Sequence, residues 1–393
     1  MASAIVDFVL HLVLPALLVP VLIPIYVIRV FVRRLRAVVE PHVAKDSQIR
    51  HSYRALTGFV WARRALGRAL NWLFEPVHYL NQFAFAASRG IERHAPDVIH
   101  AHDLVTLSAG ALGARRLGCR LVYDAHELET EANTWSLNRL TNYWVSYYEK
   151  HLVRECAVVI TVSDSIAEWL QREYQLNEVA VVLNSPEMND EAAAHSDSEG
   201  GVRGSLGLQR STPLCVYVGS VTIDRGLEVC VQALRHLPGV HFATVGPRYS
   251  VIEARMRELA VECGVADRLH LVDPVPPDRV VRYISTADCS VIAIQNVCLS
   301  YYYCFPNKLL ESVLAGLPVA GADLLELKRF IDRFQVGVIM DQADPASIAA
   351  AVTKILENRA LYKPSSDKLE TIAGIYGWRQ QQNKLRSVYA RLA

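Results

Sequence analysis

From Asp97 onward the chain alternates short apolar runs with helical stretches, and it does so twice, on either side of one polar interruption. Asp97–Ala101, Arg120–Asp124, Val158–Val162 and Val179–Leu183 read as buried strands of a parallel sheet. A second series follows at Leu214–Val218, His241–Val245, Leu269–Val272, Cys289–Ile294 and Leu317–Ala320. Between them, Pro186 to Pro213 is polar and glycine-rich and reads as a linker. Two doubly wound α/β halves joined in this way predict a cleft, with ligands outside the carboxyl ends of the strands.

The 393 residues leave ample length for two such cores. A net charge of +1 argues against a nucleic-acid partner. Eight single cysteines, none in a CxxC spacing, read as reduced core residues rather than a disulfide frame or a zinc site.

Ahead of the alternating region lies Phe8–Ile28, apolar apart from His11. As a helix its 21 residues would extend about 31 Å, against a hydrocarbon core of about 30 Å. Asp7 precedes it, and Arg29, Arg33, Arg34 and Arg36 follow, unlike a secretory signal; this arrangement predicts a body on the cytoplasmic face of the cell inner membrane. Pro15, Pro20 and Pro24 leave two topologies open for residues 1–32, a kinked span or a re-entrant helix pair. Residues 50–75 carry arginines, Trp61 and Trp72 at helical spacing, either a basic helix on an anionic lipid surface or an ordinary surface helix.

The stretch "FPNKLLESVLAGLPVAGAD" predicts a helix from Pro306 to about Ala315, ended by Gly316. Lys308 is out of place in its first turn, where a cation meets the positive end of the helix dipole. In "CVYVGSVTIDRGLEVCVQAL", Arg225 likewise stands where a strand gives way to a helix. Two cations at two helix beginnings suit a shared anion, and diphosphate is the natural candidate. The competing reading pairs Lys308 with Glu311 at i, i+3, and spacing does not choose between them.

"VYVGSVTIDRGLE", "FPNKLLE" and "GLPVAGADLLELKRFI" together resemble the carboxy-terminal domain of GT-B fold retaining glycosyltransferases of group 1, family 4. "RLVYDAHELETE" and "VVITVSDSIAEWL" resemble their amino-terminal domain. The resemblance runs from about Asp97 to the C-terminus. It implies two Rossmann-like domains facing a cleft: residues 33–185 on the acceptor side, and 214–374 for the nucleotide sugar after a linker at 186–213, with a terminal helix at 375–393. It also implies a nucleotide-sugar donor as substrate, no cofactor and no metal; no Asp-x-Asp occurs in the chain.

By position, the resemblance gives Arg225 the donor diphosphate, with Lys308 assisting, and Glu311 the ribose hydroxyls. Gly219, Ser220 and Asn307 complete the donor set, and His126 contacts the transferred sugar as the catalytic residue. His102, Asp103 and Glu127 are acceptor-side candidates; "HAHD" (residues 100–103) has metal-like spacing only superficially. Ser163 reads as a cleft residue or a helix cap, and Glu326 as a further donor contact or, more simply, a plain surface glutamate. Three departures stand out. Tyr303 replaces the family's sugar-binding glutamate, Ser220 replaces its arginine, and the usual opening strand and glycine-rich loop are missing.

The expected activity is retaining glycosyl transfer in bacterial glycan assembly. Its acceptor is lipid-linked or a polysaccharide, and other assembly enzymes are expected as partners. A membrane-anchored pseudoglycosyltransferase and a nucleotide-sugar epimerase remain as alternatives.

Overall fold

The computed structural model describes residues 83–84, 86–133, 139–186 and 201–392. The predicted anchor at 1–32 and the basic helices at 50–75 lie outside the described residues. Among the described residues no helix is long and apolar enough to cross a membrane.

Two all-parallel sheets are present. The first has the order β1 (Val98–His102), β2 (Arg120–Ala125), β3 (Val158–Thr161), β4 (Ala180–Val181). Its crossovers are the helices Asp103–Leu117, Arg139–Val153 and Asp164–Tyr174. The second sheet has six strands: β5 (Leu214–Val218), β6 (His241–Val245), β7 (Leu269–Val272), β8 (Cys289–Ile292), β9 (Val319–Ala322) and β10 (Gly337–Met340). Their spatial order is β10-β9-β8-β5-β6-β7. The chain thus winds outward from β5 through β6 and β7, returns to the middle at β8, and winds the other way. The loops leaving β5 and β8 therefore diverge and open a crevice at their carboxyl ends.

The strands are aliphatic because both faces are covered. Leu214, Cys215, Val216 and Tyr217 are almost fully buried, as are Cys289, Val291 and Ile292. β10 escaped the sequence reading: "GVIM" is short and follows the helix Leu325–Phe334 directly. β9 runs two residues later than expected, because Leu317 and Pro318 are spent turning out of the preceding helix.

Two predicted boundaries change. The linker was expected to reach Pro213, but residues from 201 onward belong to the second domain. A helical turn at Val202–Ser205 buries Arg203, whose guanidinium donates to Asp288 Oδ2 at 2.6 Å. It also donates to the carbonyls of Thr286, Gln209 and Thr212. Polar composition suggested solvent; a fully satisfied buried ion pair explains it equally well. The C-terminal helix predicted from 375 is broken at Gly377 into Ser366–Tyr376 and Trp378–Ala390. The latter crosses back to the first sheet, where Leu385, Val388 and Leu392 pack on Val122 and Ile160. Gln381 accepts the Leu183 N–H at 3.0 Å and secures the crossing.

Glu149 is buried on the helix Arg139–Val153, where it accepts hydrogen bonds from Tyr123 at 2.7 Å and Tyr174 at 2.6 Å. Burial outweighs those bonds and pushes its carboxyl up to about 7. A carboxyl raised on folding stabilises the native state below its unfolded value, and that contribution is lost as pH rises through about 7. Glu149→Gln should therefore melt increasingly above the wild type as pH goes from 5 to 8, a trend thermal scans across that range will check. Arg203→Ala removes the Oδ2 partner of Asp288 and the donors to three carbonyls while Arg359 stays on Oδ1, and should cost about 2–4 kcal/mol in a denaturant titration.

Candidate active site

The crevice of the second sheet is built by two loops. After β5 the chain reaches Gly219 with φ 121, a conformation that side chains strain to adopt. A Cβ there would stand 3.3 Å from the Lys308 ammonium, so glycine keeps this side of the crevice open. The loop continues through Arg225 to Gly226, which precedes the helix Leu227–Ala233. A Cβ on Gly226 would lie 2.1 Å from the Ala293 carbonyl in the loop after β8, so this glycine lets the two loops touch.

From β8 the chain passes through the helical turn Leu299–Tyr302 into the helix Asn307–Leu314. Lys308 and Glu311 share that helix but form no ion pair. Instead Lys308 Nζ donates to the Tyr217 hydroxyl at 2.9 Å and stands 4.4 Å from the centre of that ring. Burial, then the nearby Arg225 cation, bring its amine down to about 7. Arg225 lies over the Tyr301 ring at 5.0 Å. The two cations thus share one space and repel each other, held by aromatic faces rather than by carboxylates. An anion between them would remove that repulsion. Glu311 is half-buried, and burial raises its carboxyl, partly offset by Lys308. Asn307 is exposed. Ser220 offers its backbone carbonyl to the Tyr217 hydroxyl at 2.9 Å.

Facing this, His126 and Glu127 follow the end of β2 and are exposed. The hydrogen bond to Asp124 raises the His126 imidazole, against a smaller opposing effect of burial. Desolvation raises Glu127, and Arg225 across the crevice pulls it back. Asp103, at φ 60, accepts the His126 backbone N–H at 3.1 Å, so this acceptor-side candidate is engaged in holding His126. His102 precedes it, with its side chain 57% exposed.

The two lobes are bonded to one another. Ser163 caps the helix Asp164–Tyr174, as one of its two readings expected, and also donates to the Tyr303 carbonyl at 2.8 Å. Leu128 N–H reaches Ser300 Oγ at 3.2 Å, and Asn133 donates to Asp224 at 2.7 Å. Glu326 is not a surface residue: it is buried and accepts the Ser165 N–H at 3.1 Å. Tyr303 packs its ring against the first lobe's core. Tyr217, Tyr301 and Asp124 were missed in the sequence, although a polar aromatic inside "VYVG" and an acid ending an apolar strand are visible signals.

Residues 26–185 match the family described as Glycosyltransferase Family 4, and residues 212–358 match Glycosyl transferases group 1. The first match reaches back well ahead of Asp97, where the motif resemblance begins. Among curated relatives, the chain is 26% identical over 304 residues to a D-inositol 3-phosphate glycosyltransferase of Acidothermus cellulolyticus, covering 72% of this chain and 65% of that protein. It is 26% identical over 268 residues to the 2-deoxystreptamine N-acetyl-D-glucosaminyltransferase of Streptomyces fradiae, covering 65% of this chain and 62% of that protein. The chain thus spans just under two thirds of the length of both.

Among solved structures, sucrose-phosphate synthase from Thermosynechococcus elongatus superposes with a TM-score of 0.67 at 20% identity, covering 80% of this chain and 78% of that one. Anabaena HepE in complex with UDP and glucose gives 0.66 at 14%, covering 78% and 81%. With both halves matched in order and the two-sheet architecture shared, this chain belongs to the GT-B glycosyltransferases of group 1, family 4.

Proposed function

We propose that the chain transfers a sugar, with retention, from a nucleotide-sugar donor whose diphosphate is met by Arg225 and Lys308. The observation that carries this reading is the pair of cations at the crevice mouth, neighbours that form no ion pair with a carboxylate among the described residues. As the sugar–phosphate bond ionises, positive charge grows at the anomeric carbon and negative charge on the leaving diphosphate. Prepositioned donors in a sheltered site stabilise such a leaving group by several kcal/mol. Arg225 and Lys308 supply two of them, so the diphosphate needs no metal ion. Glu311 lies one turn beyond Lys308, placed for the ribose, and Gly219 and Ser220 line the approach. Across the crevice, His126 is the side chain to meet the transferred sugar, with Glu127 beside it for the acceptor. No carboxylate is assigned as a covalent nucleophile.

The acceptor class rests on sequence. Phe8–Ile28 and the arginines behind it favour work at the cytoplasmic face of a bacterial inner membrane on a lipid-linked saccharide, alongside other glycan-assembly enzymes. A donor-binding protein without turnover is the second reading. Tyr303 favours it, because the position that holds a sugar contact in the family serves packing between the lobes in this chain.

Arg225→Ala or Lys308→Ala should weaken binding of the nucleoside diphosphate about 10- to 100-fold, the worth of a charge-assisted hydrogen bond. Lys308 also sets a pH dependence. With the free amine near 7, diphosphate contact raises it, so at pH 8 binding takes up a proton and affinity falls as pH rises. Calorimetry in two buffers of different ionisation enthalpy will detect that uptake in the wild type and its loss in Lys308→Ala; full affinity in both variants would remove the site assignment. Membranes carrying the full chain, supplied with labelled nucleotide sugars, should yield labelled lipid, whereas bound but untransferred donor supports the second reading. Deleting residues 1–32 should slow transfer to lipid-linked acceptors more than to soluble ones.

A further inference from the structure

The pairing of β1 with β2 places His102 opposite Asp124. His100 and His126 lie two residues from these partners, and two residues along a strand returns a side chain to the same face. Three histidines and one aspartate are thereby gathered at one strand-end corner of the first sheet, beside the crevice but on the opposite lobe from the cations. The two histidines of "HAHD" are only half of this group. Strand register supplies the rest.

The spacing within the group is regular. Asp124 Oδ2 lies 3.2 Å from His100 Nε2, 3.4 Å from His102 Nδ1 and 3.4 Å from His126 Nε2. His102 Nδ1 and His126 Nε2 are 3.3 Å apart. Charge-assisted hydrogen bonds usually close to about 2.7–2.9 Å, and the three contacts to Asp124 are longer. They are lengths that neighbouring ligand atoms around one small ion also have, and His100, His102 and Asp124 together offer ligand atoms that all lie within 4.8 Å of one another. Zinc bonds of about 2.0–2.1 Å in tetrahedral geometry put neighbouring ligand atoms about 3.3 Å apart.

The outward nitrogens have partners of the kind that orient ligating imidazoles. His100 Nδ1 meets the Tyr389 hydroxyl at 2.6 Å, and His126 Nδ1 faces Asp103 Oδ2 at 3.5 Å. With the protons moved to those outward nitrogens, the inward nitrogens that otherwise donate to Asp124 offer lone pairs to an ion. His102 and His126 are 57% and 46% exposed in their side chains, so one side of the group is open to solvent.

We infer that His100, His102, Asp124 and His126 form a binding site for one divalent transition-metal ion, of which Zn²⁺ is the best match. Three imidazoles and one carboxylate are a borderline-soft set that suits Zn²⁺ over the oxygen-seeking Mg²⁺ or Ca²⁺. The ion is separate from the diphosphate chemistry proposed above. Because His126 Nε2 is one corner of the site, a bound ion and a sugar compete for that atom.

The test is calorimetric titration of the full chain, stripped with a chelator, with Zn²⁺ alone. Co²⁺ in a parallel titration reports four-coordinate geometry through its visible bands. One ion per chain is expected. His102→Ala, which alters an exposed side chain, should lower affinity by more than about 100-fold, beyond the range for losing an orienting partner. Tyr389→Phe should lower it about tenfold, because it removes only the orienting hydroxyl of His100. Failure of the wild type to take up Zn²⁺, or equal affinity in His102→Ala, would overturn the site. Neither result bears on diphosphate binding at Arg225 and Lys308.

Discussion

The second lobe brings two basic side chains close enough for Arg225 to add to the effect of burial in lowering the Lys308 amine. Arg225 arrives on the loop after β5 and Lys308 in the first turn of the helix Asn307–Leu314, and they meet where the strand order reverses between β5 and β8. Among the described residues no carboxylate forms an ion pair with either. Tyr217 and Tyr301 supply ring faces, which attract a cation without cancelling its charge.

The first lobe is ordered by hydrogen bonding at strand ends. Asp124 gathers imidazoles from two strands, and Asp103 accepts a backbone strain at φ 60 while holding the His126 amide. Bonds from Ser163, Leu128 and Asn133 then reach across to the second lobe. Two of the three end on the segment from Ser300 to Tyr303, the same connection that delivers Lys308. The relative placement of Lys308, Arg225 and His126 is thus carried by a few short polar links and the ring of Tyr303.

The double alternation of strands and helices was legible because both sheets are buried on both faces, which forces continuous aliphatic runs. Lys308 and Arg225 could be singled out because each breaks a local rule at a helix start. Other features depend on contacts far apart in the chain. Glu326 reads as an ordinary helix-surface acid until Ser165, 161 positions away, is set against it. Arg203 reads as part of a polar linker until Asp288 is beside it. The cluster on Asp124 depends on strand register, which short apolar runs do not specify to a single residue. The strand β10 was hidden by its brevity.

The terminal helix has a consequence for synthesis. Val122 and Ile160 are covered by Val388 and Leu392, so that face of the first sheet waits for Val388, 228 positions after Ile160, to leave the ribosome. Until then that lobe carries an unfinished apolar surface, and half-made chains are the form most prone to stick to one another.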